Sequence, residues 1–372
     1  MQWTERDLNP RPPEFLAFCL QVRRSYQTEL SAHTHIESMN THVKLNFFDY
    51  SFNSRALRLK KGGQQMITAL AGGVGAAKFL QGFVKVYPEK ETTIIVNTGD
   101  DIELYSLHIS PDIDIVTYTL AGIVDEEKGW GVKNDTFHWL ETIQKYGYET
   151  WFKIGDKDLA THFYRTLLLK EGYSLTEITS KICHRLGLGI KILPMTDDRF
   201  QTKIVTDKGV MHFQEYMVKR GSQDKVINVV FDGVEKAKPA LGVIDAILNA
   251  KLIIICPSNP IVSIGPILSV KNVRKALRET VAKVVAISPI ICGAPLKGPA
   301  DKLMRGLGLE VSAYSVAKLY QDIIDIFLID NIDQDEEERI EKLGLKVVAT
   351  NTVMRTLQDK IRLAETTIKS AA

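Results

Sequence analysis

The chain has 372 residues, 45% hydrophobic and 25% charged, with a formal net charge of +2. A chain of that length makes one large or two ordinary domains and buries about three quarters of its unfolded surface without a disulfide or metal staple, which excludes disorder over most of it. Its apolar runs, such as Leu252 to Cys256 and Val281 to Ile287, fall far short of the about 18 residues of a membrane helix, and the near-neutral charge gives no footing for nucleic acid or an anionic membrane.

Residues Met1 to Gln65 show no sustained helical or alternating period. Glycine is absent until Gly62, three of the eight histidines (His33, His35, His42) crowd there, and nine Lys/Arg stand against six Asp/Glu, a poor balance for a basic arm. Phe15 to Leu20 is too short for a secretory core. The opening Glu5-Arg6-Asp7-Leu8-Asn9-Pro10-Arg11-Pro12-Pro13 resembles translation of the antisense strand of a tRNA gene. The expectation is therefore a start codon assigned too far upstream, with Met66 as the biological start and no metal role for the three histidines. A native peptide from before Met66, found by mass spectrometry, would sink it. The four cysteines (Cys19, Cys183, Cys256, Cys292) form no C-x-x-C pair and no metal-ligand spacing. Cys256 and Cys292 lie at or just after apolar runs, as small hydrophobes do, in keeping with a reduced, cytoplasmic chain.

From Met66 the pattern is orderly. Ile67 to Ala71 is a short apolar run ended by Gly72-Gly73-Val74-Gly75; Ala76 to Val86 then sets Phe79, Leu80, Phe83 and Val84 on one helical face. Thr92 to Asn97 is a second β-branched run. Similar runs follow at Val226 to Phe231, Leu252 to Cys256, Lys283 to Ser288, Ile326 to Ile329 and Lys346 to Ala349, with helix-length segments such as Asp301 to Leu307 and Ser315 to Gln321 between them. Strands apolar on both faces and separated by helices predict an α/β fold: a doubly wound, mostly parallel sheet covered on both sides. The stretch from about Asp125 to Val218 reads as a helix-rich insertion carried by that sheet. The acidic Asp333 to Glu338 reads as the solvated start of a helix, and Val353, Met354, Leu357, Ile361, Ala364 and Ile368 as a closing helix.

Ligands of open α/β sheets sit outside the carboxyl ends of the strands. There this sequence gathers Gly72-Gly73-Val74-Gly75, Asn97-Thr98-Gly99-Asp100-Asp101, Pro257-Ser258-Asn259-Pro260, Pro289 to Pro295 running on to Lys297-Gly298-Pro299-Ala300-Asp301, and Thr350-Asn351-Thr352. The glycine loop suits either phosphate binding at a helix N-terminus or a plain strand-to-helix turn. It is not a Walker loop, because Lys78 follows Ala77 and precedes Phe79, and the dinucleotide fingerprint fails at its last glycine, which is Lys78. Asp100-Asp101 is either a solvated turn or a Mg2+ site, since Mg2+ takes one or two carboxylates with phosphate oxygens. Asp156, Asp158 and Asp197-Asp198 raise the same question more weakly, and His162 and His212 lack a nucleophile at any recognisable spacing.

The motifs around these residues carry a resemblance. Ala71-Gly72-Gly73-Val74-Gly75-Ala76-Ala77-Lys78, Asn97-Thr98-Gly99-Asp100-Asp101, Ser110-Pro111-Asp112-Ile113-Asp114, Gly131 to Phe137, Lys153-Ile154-Gly155-Asp156-Lys157-Asp158, Leu193 to Asp198, Met211 to Gln214, Pro257 to Pro260 and Lys297 to Met304 occur in order. Together they resemble the 2-phospho-L-lactate transferase (CofD) family of coenzyme F-420 biosynthesis, over essentially Met66 to the C-terminus, with residues 1–65 as a non-family extension. The resemblance implies a Rossmann-like fold and transfer of phospholactate from a guanosine diphosphate-activated donor to the ribityl hydroxyl of 7,8-didemethyl-8-hydroxy-5-deazariboflavin (FO), with Mg2+ required and GMP released. It implies that Asp114 and Lys153 line the FO pocket, with Asp114 the candidate proton acceptor. It implies too that Gly72, Gly73, Gly75, Ser258, Asn259, Gly298 and Pro299 surround the donor, and that the protein forms a homodimer. Asp100 or Asp101 is the expected metal ligand. No residue decides among lactate, enolpyruvate and glycerate as the acyl part. The rival is a UDP-sugar-binding regulator of the gluconeogenesis-factor type, which shares the glycine loop; the block from Lys133 to Asp158 favours the transferase.

Overall fold

The computed structural model describes residues 66–372; the expectations for the N-terminal extension and Cys19 fall outside them. Seven short strands form one sheet: β1 (Ile67–Ala71), β2 (Thr92–Val96), β3 (Lys191–Pro194), β4 (Leu252–Ile255), β5 (Lys283–Ile287), β6 (Ile326–Asp330) and β7 (Lys346–Thr350). Their spatial order is β7-β6-β5-β4-β1-β2-β3, with every neighbouring pair parallel. β1, β2 and β6 are buried along their whole length, as a parallel sheet between two helical layers requires. Side chains alternate between the layers: Leu70, Ile95, Ile253 and Ile255 enter one core, and Ile67, Ala69, Ile94 and Ile254 the other.

The helices that matter for the site are α1 (Gly73–Phe83), α2 (Pro111–Leu120), α3 (His138–Lys145), α4 (Asp156–Lys170), α5 (Leu175–Arg185) and the closing α6 (Leu357–Ser370). α1 begins at Gly73, so the glycine loop is itself the first turn of the helix rather than its lead-in. α6 crosses α1 at Gly82, where a Cβ would meet the Lys360 carbonyl carbon at 2.2 Å; only glycine permits that approach. Pro111 opens α2 with its φ already set, and Asp112 and Asp114 in the first turn oppose the helix dipole.

Three local expectations are corrected. Val226–Asp232 is not a strand of the parallel sheet but the edge of a three-stranded antiparallel one, paired with Gln201–Thr206, which in turn pairs with Gly209–His212. Its apolar run looked buried on both faces, yet Val226 and Val229 are buried while Ile227 and Val230 face outward. The insertion carries strands as well as helices: after Arg185 come β3, at the edge of the main sheet, and two antiparallel strands before a last helical turn at Glu215–Lys219. The acidic stretch is not wholly solvated, since Asp333 is buried, both its carboxylate oxygens accepting from the Cys292 N–H, and Glu336 accepts from the Tyr314 N–H. Among the described residues no helix is long and apolar enough to cross a membrane.

The chain lays β1, β2 and β3 outward in one direction, then returns to the other side of β1 with β4. At such a reversal of strand order open α/β folds form the crevice in which they bind ligands.

Candidate active site

The floor of the crevice is tied by Asn97, at the end of β2. Its Nδ2 donates to Asp112 Oδ2 at 2.9 Å and to the Val262 carbonyl at 3.2 Å, while its Oδ1 accepts from the Gly99 N–H at 2.8 Å. One amide thus fastens the loop after β2, the start of α2 and the segment after β4. Gly72 lies on this knot: a Cβ there would stand 2.7 Å from Asp112 Oδ2 and 2.8 Å from Ser263 Cβ. A Cβ on Gly75 would stand 2.2 Å from the Pro257 carbonyl oxygen. Both glycines are required by close packing, whatever else the loop binds.

Three buried carboxylates meet here. Asp112 accepts from the Gly73 N–H as well as from Asn97; burial, with the charge of Asp101, outweighs these bonds and raises it to about 7. Asp100 is held well above the usual carboxylate range by burial and by the charge of Asp112. Asp101 is raised by burial and accepts from Ser110 Oγ at 2.8 Å and from His108 at 3.1 Å. His108 bridges Asp101 and Glu103; burial works against its charge, but the two carboxylates prevail and raise it to about 9. Asp100 Oδ1 and Asp101 Oδ1 are buried without a hydrogen-bond partner among the described residues, as are Thr98 Oγ1, Thr202 Oγ1 and Ser258 Oγ. Crowded buried carboxylates with free oxygens are the donor set of a hard divalent cation. Asp112 belongs to this group and went unassigned in the sequence, although its motif was in view.

A second buried group lies on the other side of α2. Both Asp114 oxygens accept from the fully buried Arg165 of α4, NH1 reaching Oδ2 at 3.1 Å and NH2 reaching Oδ1. His162 stands behind, its Nδ1 3.3 Å from Arg165 NH1 and its Nε2 3.3 Å from Asp158 Oδ1, which accepts from the Tyr118 hydroxyl at 2.8 Å. Asp114, Asp158 and His162 bring their ligand atoms within 4.8 Å of one another. The Arg165 guanidinium already supplies the cation there, so oxygen-seeking Mg2+ fits the first group better.

The remaining expected residues divide. Ser258 is buried next to the glycine loop's contact with Pro257; the Asn259 side chain caps the following turn, accepting from Ile261 N–H at 2.9 Å and Val262 N–H at 3.3 Å. Gly298 is exposed with φ +81° and Pro299 is buried. Lys297 of that loop reaches the Lys128 carbonyl at 3.3 Å and lies 2.7 Å from where a Gly129 Cβ would stand, beside Val74 of α1. Lys153 is exposed in the segment before α4, with no ion pair among the described residues, and the structure gives it no contact with Asp114. Asp156 caps α3, accepting from Thr136 and from the His138 and Trp139 N–H groups; Asp197 accepts from Thr176 and Asp198 from Lys238. These three are structural. His212 is pushed down to about 4 by burial and hydrogen-bonds the Asp101 carbonyl at 3.1 Å, a neutral support for the acidic loop.

The model of the family described as 2-phospho-L-lactate transferase CofD matches residues 67–367. This chain belongs to that family. It is 41% identical over 308 residues to the 2-phospho-L-lactate transferase of Methanocaldococcus jannaschii, covering 82% of this chain and 97% of that protein. It is 40% identical over 311 residues to the phosphoenolpyruvate transferase of Streptomyces griseus, covering 82% and 98%, and 42% identical over 296 residues to the 2-phospho-L-lactate transferase of Methanosarcina acetivorans, covering 80% and 96%. The solved structure of a UPF0052 family protein from Bacillus halodurans matches with a TM-score of 0.54 at 15% identity, over 82% of this chain and 99% of that one, a likeness of fold. As a CofD family member the protein is a transferase on an α/β fold.

Proposed function

We propose that this CofD family member transfers the 2-phospholactyl group from lactyl-2-diphospho-5'-guanosine to the terminal ribityl hydroxyl of FO, forming coenzyme F-420-0 and releasing GMP. The observation that carries this reading is the pair Asp112 and Asp114 in the first turn of α2. Residues two apart on a helix point about 200° apart. One carboxylate therefore joins the acidic group under the glycine loop, and the other joins Arg165 on the side of α4. A donor held by its diphosphate on the first side and an alcohol held on the second would meet across the start of α2.

The ribityl oxygen attacks the phosphorus that bears the lactyl group, the bond from that phosphorus to the GMP oxygen breaks, and the hydroxyl proton passes to Asp114. Phosphoryl-type transfer is chiefly alignment and charge neutralisation. Asp100, Asp101 and Asp112 would hold Mg2+, which when bound neutralises the diphosphate. The glycine loop with Gly72, Gly73 and Gly75, the Ser258 and Asn259 turn, and the Gly298-Pro299 loop surround the donor; Lys153 lies toward the acceptor. The test is to mix protein, FO, Mg2+ and the activated phospholactate and follow GMP and deazaflavin mass. A phospholactyl gain matched by GMP supports the reading. No product, with stabilisation by UDP-sugars rather than GDP, would replace it by a regulator. Competition with the enolpyruvyl donor fixes the acyl group, and light scattering checks the homodimer.

A further inference from the structure

Arg165 is 0% exposed, in a fold whose other buried side chains are largely apolar. A buried ion pair is a poor source of stability, because removing both charges from water offsets most of their attraction, and apolar replacements of similar volume often do as well. Its expense is explained when it fixes something. Here the guanidinium fork grips both oxygens of Asp114, the planar two-point geometry that a lysine cannot reproduce. The fork is itself fixed from behind: NH1 also faces His162 Nδ1 at 3.3 Å and the His108 carbonyl at 3.4 Å. The other His162 nitrogen faces Asp158 at 3.3 Å, and Asp158 accepts from Tyr118 of α2. Arg165 can only donate, so Nδ1 accepts its hydrogen bond and the Nε2 edge of the ring lies against Asp158 without a hydrogen bond among the described residues. The Asp114 side chain keeps 8% of its surface exposed while His162 keeps 2% and Arg165 none, so of the gripped pair only the carboxylate is open to an incoming group.

We propose that Arg165, held by His162 and Asp158, is a positioning residue: it locks the rotation of the Asp114 carboxylate so that its outer lone pairs meet the acceptor hydroxyl in line with phosphorus. This rests on the reading that Asp114 contacts the acceptor. The network grips both oxygens of Asp114 directly and reaches the acidic group less directly, through His108, whose carbonyl accepts from Arg165 and whose ring bonds Asp101, so its larger effect falls on turnover of the acceptor.

The experiment is a double-mutant cycle on the full chain with Mg2+, measuring kcat, acceptor KM and GDP affinity for Arg165→Lys, Asp114→Asn and the pair, with melting curves to verify folding. Arg165→Lys is expected to lower kcat on the order of 100-fold, as a misplaced catalytic group does, with a much smaller change in GDP affinity. The double variant is expected to be no slower than Asp114→Asn alone, because Arg165 acts only through Asp114; a merely structural role would add its loss to both. His162→Gln, which keeps the ion pair and removes its support, is expected to show a smaller loss of kcat with the same dependence on Asp114. Losses that multiply in the double variant, or a loss of GDP affinity equal to that of kcat, would overturn the proposal. So would wild-type kcat in both Arg165→Lys and His162→Gln. If Asp114→Asn itself leaves kcat and acceptor KM unchanged, the reading of Asp114 fails and this inference falls with it, a result distinct from failure of Arg165 alone.

Discussion

The carbonyl oxygen of Pro257 stands 2.2 Å from the position a Cβ on Gly75 would occupy. The first turn of α1 therefore rests directly on the turn after β4, and the width of the crevice is set by that contact. Gly75→Ala must drive the two loops apart, since neither partner is a side chain that could turn away. Overpacking of this kind costs about 1–3 kcal/mol, and it moves the glycine loop. Urea unfolding should show that loss, and calorimetry should show weakened GDP binding. Gly131→Ala, with φ +70° but nothing within 4 Å, should cost about 1–2 kcal/mol of backbone strain and leave GDP binding as it was. Equal GDP affinity in wild type and Gly75→Ala would mean that the contact does not shape the site.

Asp114→Asn keeps the size of the side chain but removes the proton acceptor. Loss of a general base lowers turnover by about 10²- to 10⁴-fold. Donor affinity should stay within about twofold, because Asp114 points away from the acidic group under the glycine loop, about 200° round the α2 axis from Asp112. Steady-state kinetics beside GDP titration separates the two effects. Parallel losses would reject the assignment of Asp114 to the acceptor.

Asp100, Asp101 and Asp112 are crowded and buried, two of them with a free oxygen. A ligand that binds only the folded state stabilises it by about 2.7 kcal/mol at 100 times its dissociation constant. Mg2+ should therefore raise the melting temperature of the wild type in a concentration-dependent way, and EDTA should reverse this and abolish turnover. Asp100→Asn and Asp112→Asn should lose the Mg2+ response, while Asp197→Asn, whose carboxylate is engaged with Thr176, should retain it. A full response in Asp100→Asn and Asp112→Asn would move the metal elsewhere.

The sheet was legible because its strands are short β-branched runs bounded by glycine, proline or asparagine, and the reversal of strand order brought the expected loops to one edge. Lys191–Pro194 escaped because its apolar core is too short to stand out, and β3 is recognised only by its pairing with β2. Val226–Asp232 was misplaced because a run with no alternation can still have one exposed face when its partner strand is antiparallel. At the site, Asp100 and Asp101 stood out as a pair after a strand, but Asp112 and Arg165 did not. Nothing local marks them: each acquires its role from a partner far along the chain, Asp112 from the glycine loop and Arg165 from Asp114, 51 positions away. Burial, which raises Asp112 and encloses Arg165, is a property of the packed molecule.

Glu336 provides a test of the acidic stretch away from the crevice. Burial, assisted by the charges of Asp333 and Glu310, raises its carboxyl to about 7 although it accepts the Tyr314 N–H at 2.6 Å. An ordinary glutamate titrates at about 4.3 in an unfolded chain. The folded state therefore holds the proton more tightly, and this group's favourable contribution is complete below about 4.3 and is lost as pH rises through about 7. Each tenfold gain in proton affinity on folding corresponds to about 1.4 kcal/mol, so the loss across the whole window is roughly 4 kcal/mol. Glu336→Gln keeps a carbonyl to accept from Tyr314 and has no proton to lose. Its stability should equal that of the wild type near pH 4 and exceed it by up to about 4 kcal/mol at pH 8, as read by denaturant melts across that range. A constant difference between the two proteins from pH 4 to 8 would show that Glu336 ionises as an exposed acid does.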